Sequence, residues 1–211
     1  MPSPVTADDL SATLRAALAT LRPAVGAAWT TPLAPGGWSC WETVEHVADG
    51  LFGYAAQLAP AEPPQHDYVP LAWHRDRPDG PPNALRADPA AGPDGLLRVL
   101  DAAGGILAAV LRAAPPEARA FHVWGLADPE GFAAMGTAEL LLHVHDVCQA
   151  LDLPWSPPAE RCARVLARLF PDAPAGHSPW PTLLHATGRT DLPGHPRPTA
   201  WRWHSAPPAE A

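Results

Sequence analysis

Glu139, His143 and Asp146 lie within the run MGTAELLLHVHDVCQAL, Met135 to Leu151. Its apolar spacing predicts a helix, and residues three and four apart share a helix face. Glu139 and His143 can therefore aim a carboxylate oxygen and an imidazole nitrogen at one point, which is metal-ligand chemistry. Taken alone, such a pair is also what a solvated helix surface offers, worth only about 0.2–0.5 kcal/mol. Two ligands do not make a site: structural zinc takes four protein ligands, and catalytic zinc usually takes three and keeps a position for water. A third must come from elsewhere in the chain, and the candidate is His46. Asp146, one turn beyond His143, is placed to orient that imidazole, or else to meet an arginine or solvent.

The elements that would position these groups are helical. Thr6-Ala7-Asp8-Asp9 has the form of a capping box with Asp in the Glu position, and Leu10, Leu14, Leu18 and Leu21 follow at helical spacing before Pro23. Ser39-Cys40-Trp41-Glu42 is a capping box that opens a second helix, running to about Leu58. On it Val44, Val47, Ala48, Leu51, Ala55 and Leu58 form the apolar face, and His46 projects to the flank in line with Gly50 and Gly53. Helix-interior glycines cost about 1 kcal/mol each relative to alanine. Two beside a histidine imply close approach, either by a ligand or by another helix.

Ala59 to Gly92 is a long connection rich in Pro, Asp and His, with a short helix expected near Leu71 to Arg75. Connections of this length often cover a site. A third helix is expected over Pro93 to Ala114, with Gly104-Gly105 marking a kink or a tight crossing. The segment Pro115 to Gly131 reads as a loop into the helix that carries Glu139. On that helix Leu140, Val144, Val147 and Leu151 form a core stripe, bordered by Phe132, Met135, Glu139, His143, Asp146 and Ala150. A polar stripe beside an apolar one suits a site between packed helices. His145 points away from it and reads as structural. His122, Trp124 and Phe132 are candidates to line a pocket. Ser156-Pro157-Pro158 is expected to cap a further helix, and a short one near Pro181 to Thr187 ends at Gly188. Arg189, Arg197 and Arg202 in the tail are candidate binding residues for a carboxylate, through bidentate bonds. The predicted fold class is all-α: a four-helix bundle over residues 1–155 with a helical extension and tail over 156–211.

Composition narrows the function classes. Hydrophobic residues are 47% of the 211, enough for a large core, and the formal net charge is −8 with no lysine. That balance argues against nucleic acid or an anionic membrane as partner. The 29 prolines fall mostly outside the periodic segments and read as stiff loops. Three cysteines, Cys40, Cys148 and Cys162, form no CxxC pair and carry no nucleophile signature; Cys40 and Cys148 fit buried packing. No apolar run approaches the roughly 20 residues of a membrane span, and the N-terminus lacks the basic and apolar regions of a signal peptide. A cytoplasmic protein is the expectation, with a small-molecule substrate and the homodimer left open.

The stretches GGWSCWETVEHVADGL and FHVWGLADPEGFAAMGTAELLLHVHDV resemble the DinB-like superfamily, in particular the N-terminal domain of mycothiol-dependent maleylpyruvate isomerase. The resemblance implies a metal-binding four-helix bundle in which a histidine of the second helix and a Glu/His pair of the fourth hold one divalent metal, usually zinc. By position these ligands are His46, Glu139 and His143. Other branches place histidine where this chain has Glu139. The chain after Pro154 does not match the C-terminal domain of that isomerase. Members often use a low-molecular-weight thiol such as mycothiol, so the resemblance implies a thiol-using transferase or isomerase. The residues themselves leave a non-catalytic metal- or ligand-binding bundle and a metal-assisted hydrolase open beside it.

Overall fold

The computed structural model describes residues 3–33 and 37–207. Six α-helices account for the regular structure of the described residues: α1 (Ala7–Leu21), α2 (Cys40–Leu58), α3 (Gly92–Ala113), α4 (Pro129–Ala150), α5 (Ala159–Leu169) and α6 (Pro179–Ala186). Two single 3-10 turns (Arg22–Ala24 and Pro89–Ala91) and isolated bridges occur besides them. None of these helices is long and apolar enough to cross a membrane.

Local chemistry explains where the helices start. Thr6 caps α1 and Ser39 caps α2, each in a reciprocal capping box, with Asp9 and Glu42 as the returning carboxylates. The Glu139 helix begins earlier than expected. Asp128 accepts a hydrogen bond from the Gly131 N–H at 2.8 Å and Pro129 fills the first turn, so Pro129 to Gly131 belong to α4 and not to the preceding loop. Two other expectations are corrected. Leu71 to Arg75 is extended, because His74 exchanges backbone hydrogen bonds with Asn83. Ser156 does not cap α5; Pro158 occupies the cap position and no side chain bonds there.

α1 and α2 each pack against both α3 and α4. At the centre, Gly136 of α4 lets three helices close in: a Cβ there would lie 3.2 Å from Leu10, 3.1 Å from Leu51 and 3.0 Å from Leu107. From Gly131 to Leu142 nearly every α4 residue is buried, so this is the central helix and not one with a single core stripe. Gly104 marks a tight crossing, since a Cβ on it would meet Leu14 of α1 at 2.6 Å. α5 lies against α4 and α6. It is tied to the bundle by ion pairs of Arg164 with Asp9 and of buried Arg168 with Asp128, the latter at 2.8 Å.

Candidate metal centre

α2 and α4 pack together so that His46, Glu139 and His143 offer ligand atoms that all lie within 4.8 Å of one another. Among the described residues this is the only group of three or more His, Cys, Asp or Glu side chains so gathered. The rings of His46 and His143 meet edge to face with centroids 5.6 Å apart. His143 Nε2 lies 3.1 Å from Glu139 Oε2, and Tyr54 donates its hydroxyl to Glu139 Oε1 at 3.3 Å. The buried Nδ1 of His46 has no hydrogen-bond partner. Two imidazoles and one carboxylate form a donor set that fits a divalent cation of the zinc type.

Asp146 stands behind His143. Its Oδ2 lies 3.4 Å from His143 Nδ1, while Arg189 grips both oxygens, Nε to Oδ1 at 2.9 Å and an Nη to Oδ2 at 2.7 Å. Asp146 thus both faces the imidazole and meets an arginine. Arg189 reaches it because α6 ends in a turn built on Gly188, at φ 70°, with the Gly188 N–H bonded to the His185 carbonyl and the Arg189 N–H to that of Leu184. The guanidinium fork is therefore committed to Asp146. Arg197 and Arg202 are exposed on the tail and do not join it.

The electrostatics follow from this packing. Burial alone would lower the His143 pKa, but the carboxylates of Asp146 and Glu139 outweigh it and raise the imidazole to about 9. Burial works to raise Glu139, yet His143, His46 and the Tyr54 hydroxyl bring it down to about 2. His46 is lowered, chiefly by burial, with Glu139 opposing. Tyr54 is pushed well above the usual phenol range by burial and then by Glu139, so it remains a donor at neutral pH. Without a cation, protonated His143 and the Arg189 guanidinium together balance the carboxylates of Glu139 and Asp146.

Beside the triad lies a cavity of about 240 Å³. His46, Gly50, Gly53 and Tyr54 of α2 form one wall, Phe132 and His122 another, and Tyr68, Val69, Leu71, Trp73 and Pro82 of the long connection cover it. The expectation that this connection covers a site accords with that placement. Side chains of α2 tether it: Glu45 accepts from the Ala87 N–H, Asp49 from the Ala84 and Leu85 N–H groups, and Gln57 bonds Val69, Pro64 and Asp67. Glu45, Asp49 and Tyr54 were not legible as site residues, although they flank His46 at helical spacing, which was the available signal.

His122 and Phe132 line the cavity; Trp124 does not, and stacks on Trp203 and His122 instead. His122 Nδ1 lies 2.7 Å from the Ser205 hydroxyl, and burial lowers its pKa to about 4. His145 packs edge to face on Trp180, in keeping with a structural role. Cys40, Cys148 and Cys162 are free and buried, and burial raises all three thiols, Cys148 to about 11 and Cys162 to about 12.

The sequence profile of the DinB superfamily matches residues 9–147, the whole span from α1 to the last turn of α4 and all three members of the triad. No curated protein and no solved structure matches the chain.

Proposed function

The chain belongs to the DinB superfamily, and we propose on that footing that it is a metal-dependent enzyme that uses a low-molecular-weight thiol of the mycothiol type to transfer to, or isomerise, a small molecule. In this reading His46, Glu139 and His143 hold a divalent cation, most simply zinc. The observation that carries it is the convergence of three ligand atoms from α2 and α4 within 4.8 Å of one another, beside a cavity.

No fourth His, Cys, Asp or Glu among the described residues joins the group, which favours a site with open positions over a closed structural one. A cation held there supplies a Lewis acid that lowers the pKa of a bound thiol or water. The protein's own contribution is orientation. Tyr54 holds one oxygen of Glu139 and leaves the other toward His143. Asp146, fixed by Arg189, faces the far nitrogen of His143 and sets its tautomer. The tethered connection lies over the cavity side.

The test is elemental analysis of the purified protein after reconstitution with zinc, followed by assay of thiol consumption. One equivalent of zinc is expected in the wild type, with loss in His46→Ala and His143→Ala variants that keep their helical circular dichroism. A wild type that retains no metal overturns the proposal. Turnover that proceeds at full rate without added thiol would replace thiol chemistry by hydrolysis.

A further inference from the structure

Gly50 and Gly53 lie in the interior of α2, where glycine costs about 1 kcal/mol relative to alanine. Nothing among the described residues requires them. A Cβ built on either meets no atom within 4 Å, and both face the cavity. Neither the tight crossing seen at Gly104 nor the crowding at Gly136 applies here. Of the two readings the sequence left open, close approach by a helix is excluded, and the space lies on the ligand side.

The chemistry of the walls narrows the occupant. No arginine lines the cavity, and the chain has no lysine. Apart from His46, which the proposed metal would engage, its polar groups bond to the protein: Asp49 Oδ1 and Gln57 to backbone of the cover, the Tyr54 hydroxyl to Glu139, the Tyr68 hydroxyl to the Val123 N–H, and His122 Nδ1 to Ser205. What remains are the faces of rings. Tyr54 and Phe132 pack with centroids 5.7 Å apart at the inner end, and Tyr68 and Trp73 at 5.8 Å on the covering side, where Trp73 is 52% exposed. An apolar cavity of ~150 Å³ takes up benzene, so about 240 Å³ holds a substituted single ring or a fused pair.

We infer that this cavity binds an uncharged, flat aromatic molecule as the small-molecule substrate, an assignment that rests on the proposed metal chemistry next to it. Apart from the proposed metal, a carboxylate substrate has no arginine or lysine in these walls to meet, and the Asp49 carboxylate in the wall opposes it. A polar thiol finds few free partners in these ring-lined walls, so the cavity is assigned to the substrate.

The probe is indole, with indole-3-carboxylate as its charged counterpart, titrated calorimetrically into zinc-free and zinc-loaded protein at pH 7. Indole is expected to bind both forms, and the carboxylate to bind the zinc-free form at least tenfold more weakly. Gly53→Leu is expected to lower indole affinity at least tenfold while zinc stoichiometry and thermal midpoint are kept. Gly53→Ala, which adds one methyl, tests the same wall should the larger variant fold poorly, and is expected to weaken indole binding with an unchanged or raised midpoint. Equal affinity for the carboxylate in the zinc-free protein, or indole binding untouched by both variants, overturns the inference. Zinc uptake without indole binding overturns this inference alone; indole binding without zinc uptake overturns the proposed function, and with it the ligand's role as substrate, while the aromatic site stands.

Discussion

Arg189 holds Asp146 by both carboxylate oxygens, and the same carboxylate lies 3.4 Å from His143 Nδ1. The His143 imidazole is therefore braced, through Asp146, by a residue that follows α6 and lies outside the family match. Removing such a brace typically costs ten- to hundredfold in metal affinity. Asp146→Ala is expected to weaken zinc binding within that range, and Arg189→Met to weaken it less, both read by competition with a chromophoric chelator. Wild-type affinity in Asp146→Ala would show that the brace does not act on the centre.

Zinc uptake is expected to release a proton. In the metal-free site His143 carries its proton up to about pH 9, Glu139 is ionised above about pH 2, and the lowered His46 is already neutral. A ligand must be deprotonated to bind, so about one proton leaves per zinc at pH 7. Calorimetry in buffers of different ionisation enthalpy measures that number. Apparent affinity should climb about tenfold per pH unit from 7 towards 9 and then level off.

Stability of the metal-free protein should fall on both sides of a maximum near pH 6.5. His122 has a folded pKa near 4, below its ordinary 6.5, so the unfolded chain binds more protons between those values and stability is lost as pH falls through that window. His143 has a folded pKa near 9, so its contribution is full below 6.5 and is lost as pH rises through 9. Urea denaturation across pH 4 to 9.5 reads both limbs. His122→Phe is expected to flatten the acid limb above pH 4, and zinc to flatten the alkaline one.

Gly136 is the position where added volume has nowhere to go. Leucines of α1, α2 and α3 already stand 3.0–3.2 Å from where a Cβ would lie, closer than an ordinary van der Waals contact. Gly136→Val is expected to destabilise by about 1–3 kcal/mol, seen as a lowered urea midpoint with unchanged slope. Gly50→Ala, on the open side of α2, is expected to move the midpoint upward.

How much of this was legible in the sequence depends on the range of the interaction. The caps of α1 and α2 are local, and Thr6, Ser39 and their returning carboxylates marked both starts. The Glu139/His143 pair was legible for the same reason, because spacing along one helix fixes it. Asp128-Pro129 carried an equally local signal for the start of α4, but the apolar period became clear only beyond it. The Leu71 to Arg75 stretch failed as a helix because His74 pairs with Asn83, a contact closed by the folded loop. Arg189 was legible as a binding residue by type, and only the turn at Gly188 decides that it grips Asp146. Two tail arginines of the same type face solvent. Periodicity cannot tell a glycine crowded by a neighbour from one that faces a void, so Gly50, Gly53 and Gly136 needed coordinates.

The way α2 suspends the long connection has an evolutionary consequence. Glu45, Asp49 and Gln57 take hold of main-chain groups almost throughout, with the Asn83 amide the exception. Main-chain hooks are indifferent to which side chains hang between them. Leu71 and Trp73 are thus free to be exchanged for other residues without unhooking the segment or disturbing His46, Glu139 and His143 beneath. A scaffold of this kind can change its diet by rewriting a single stretch of chain while its chemistry stays put.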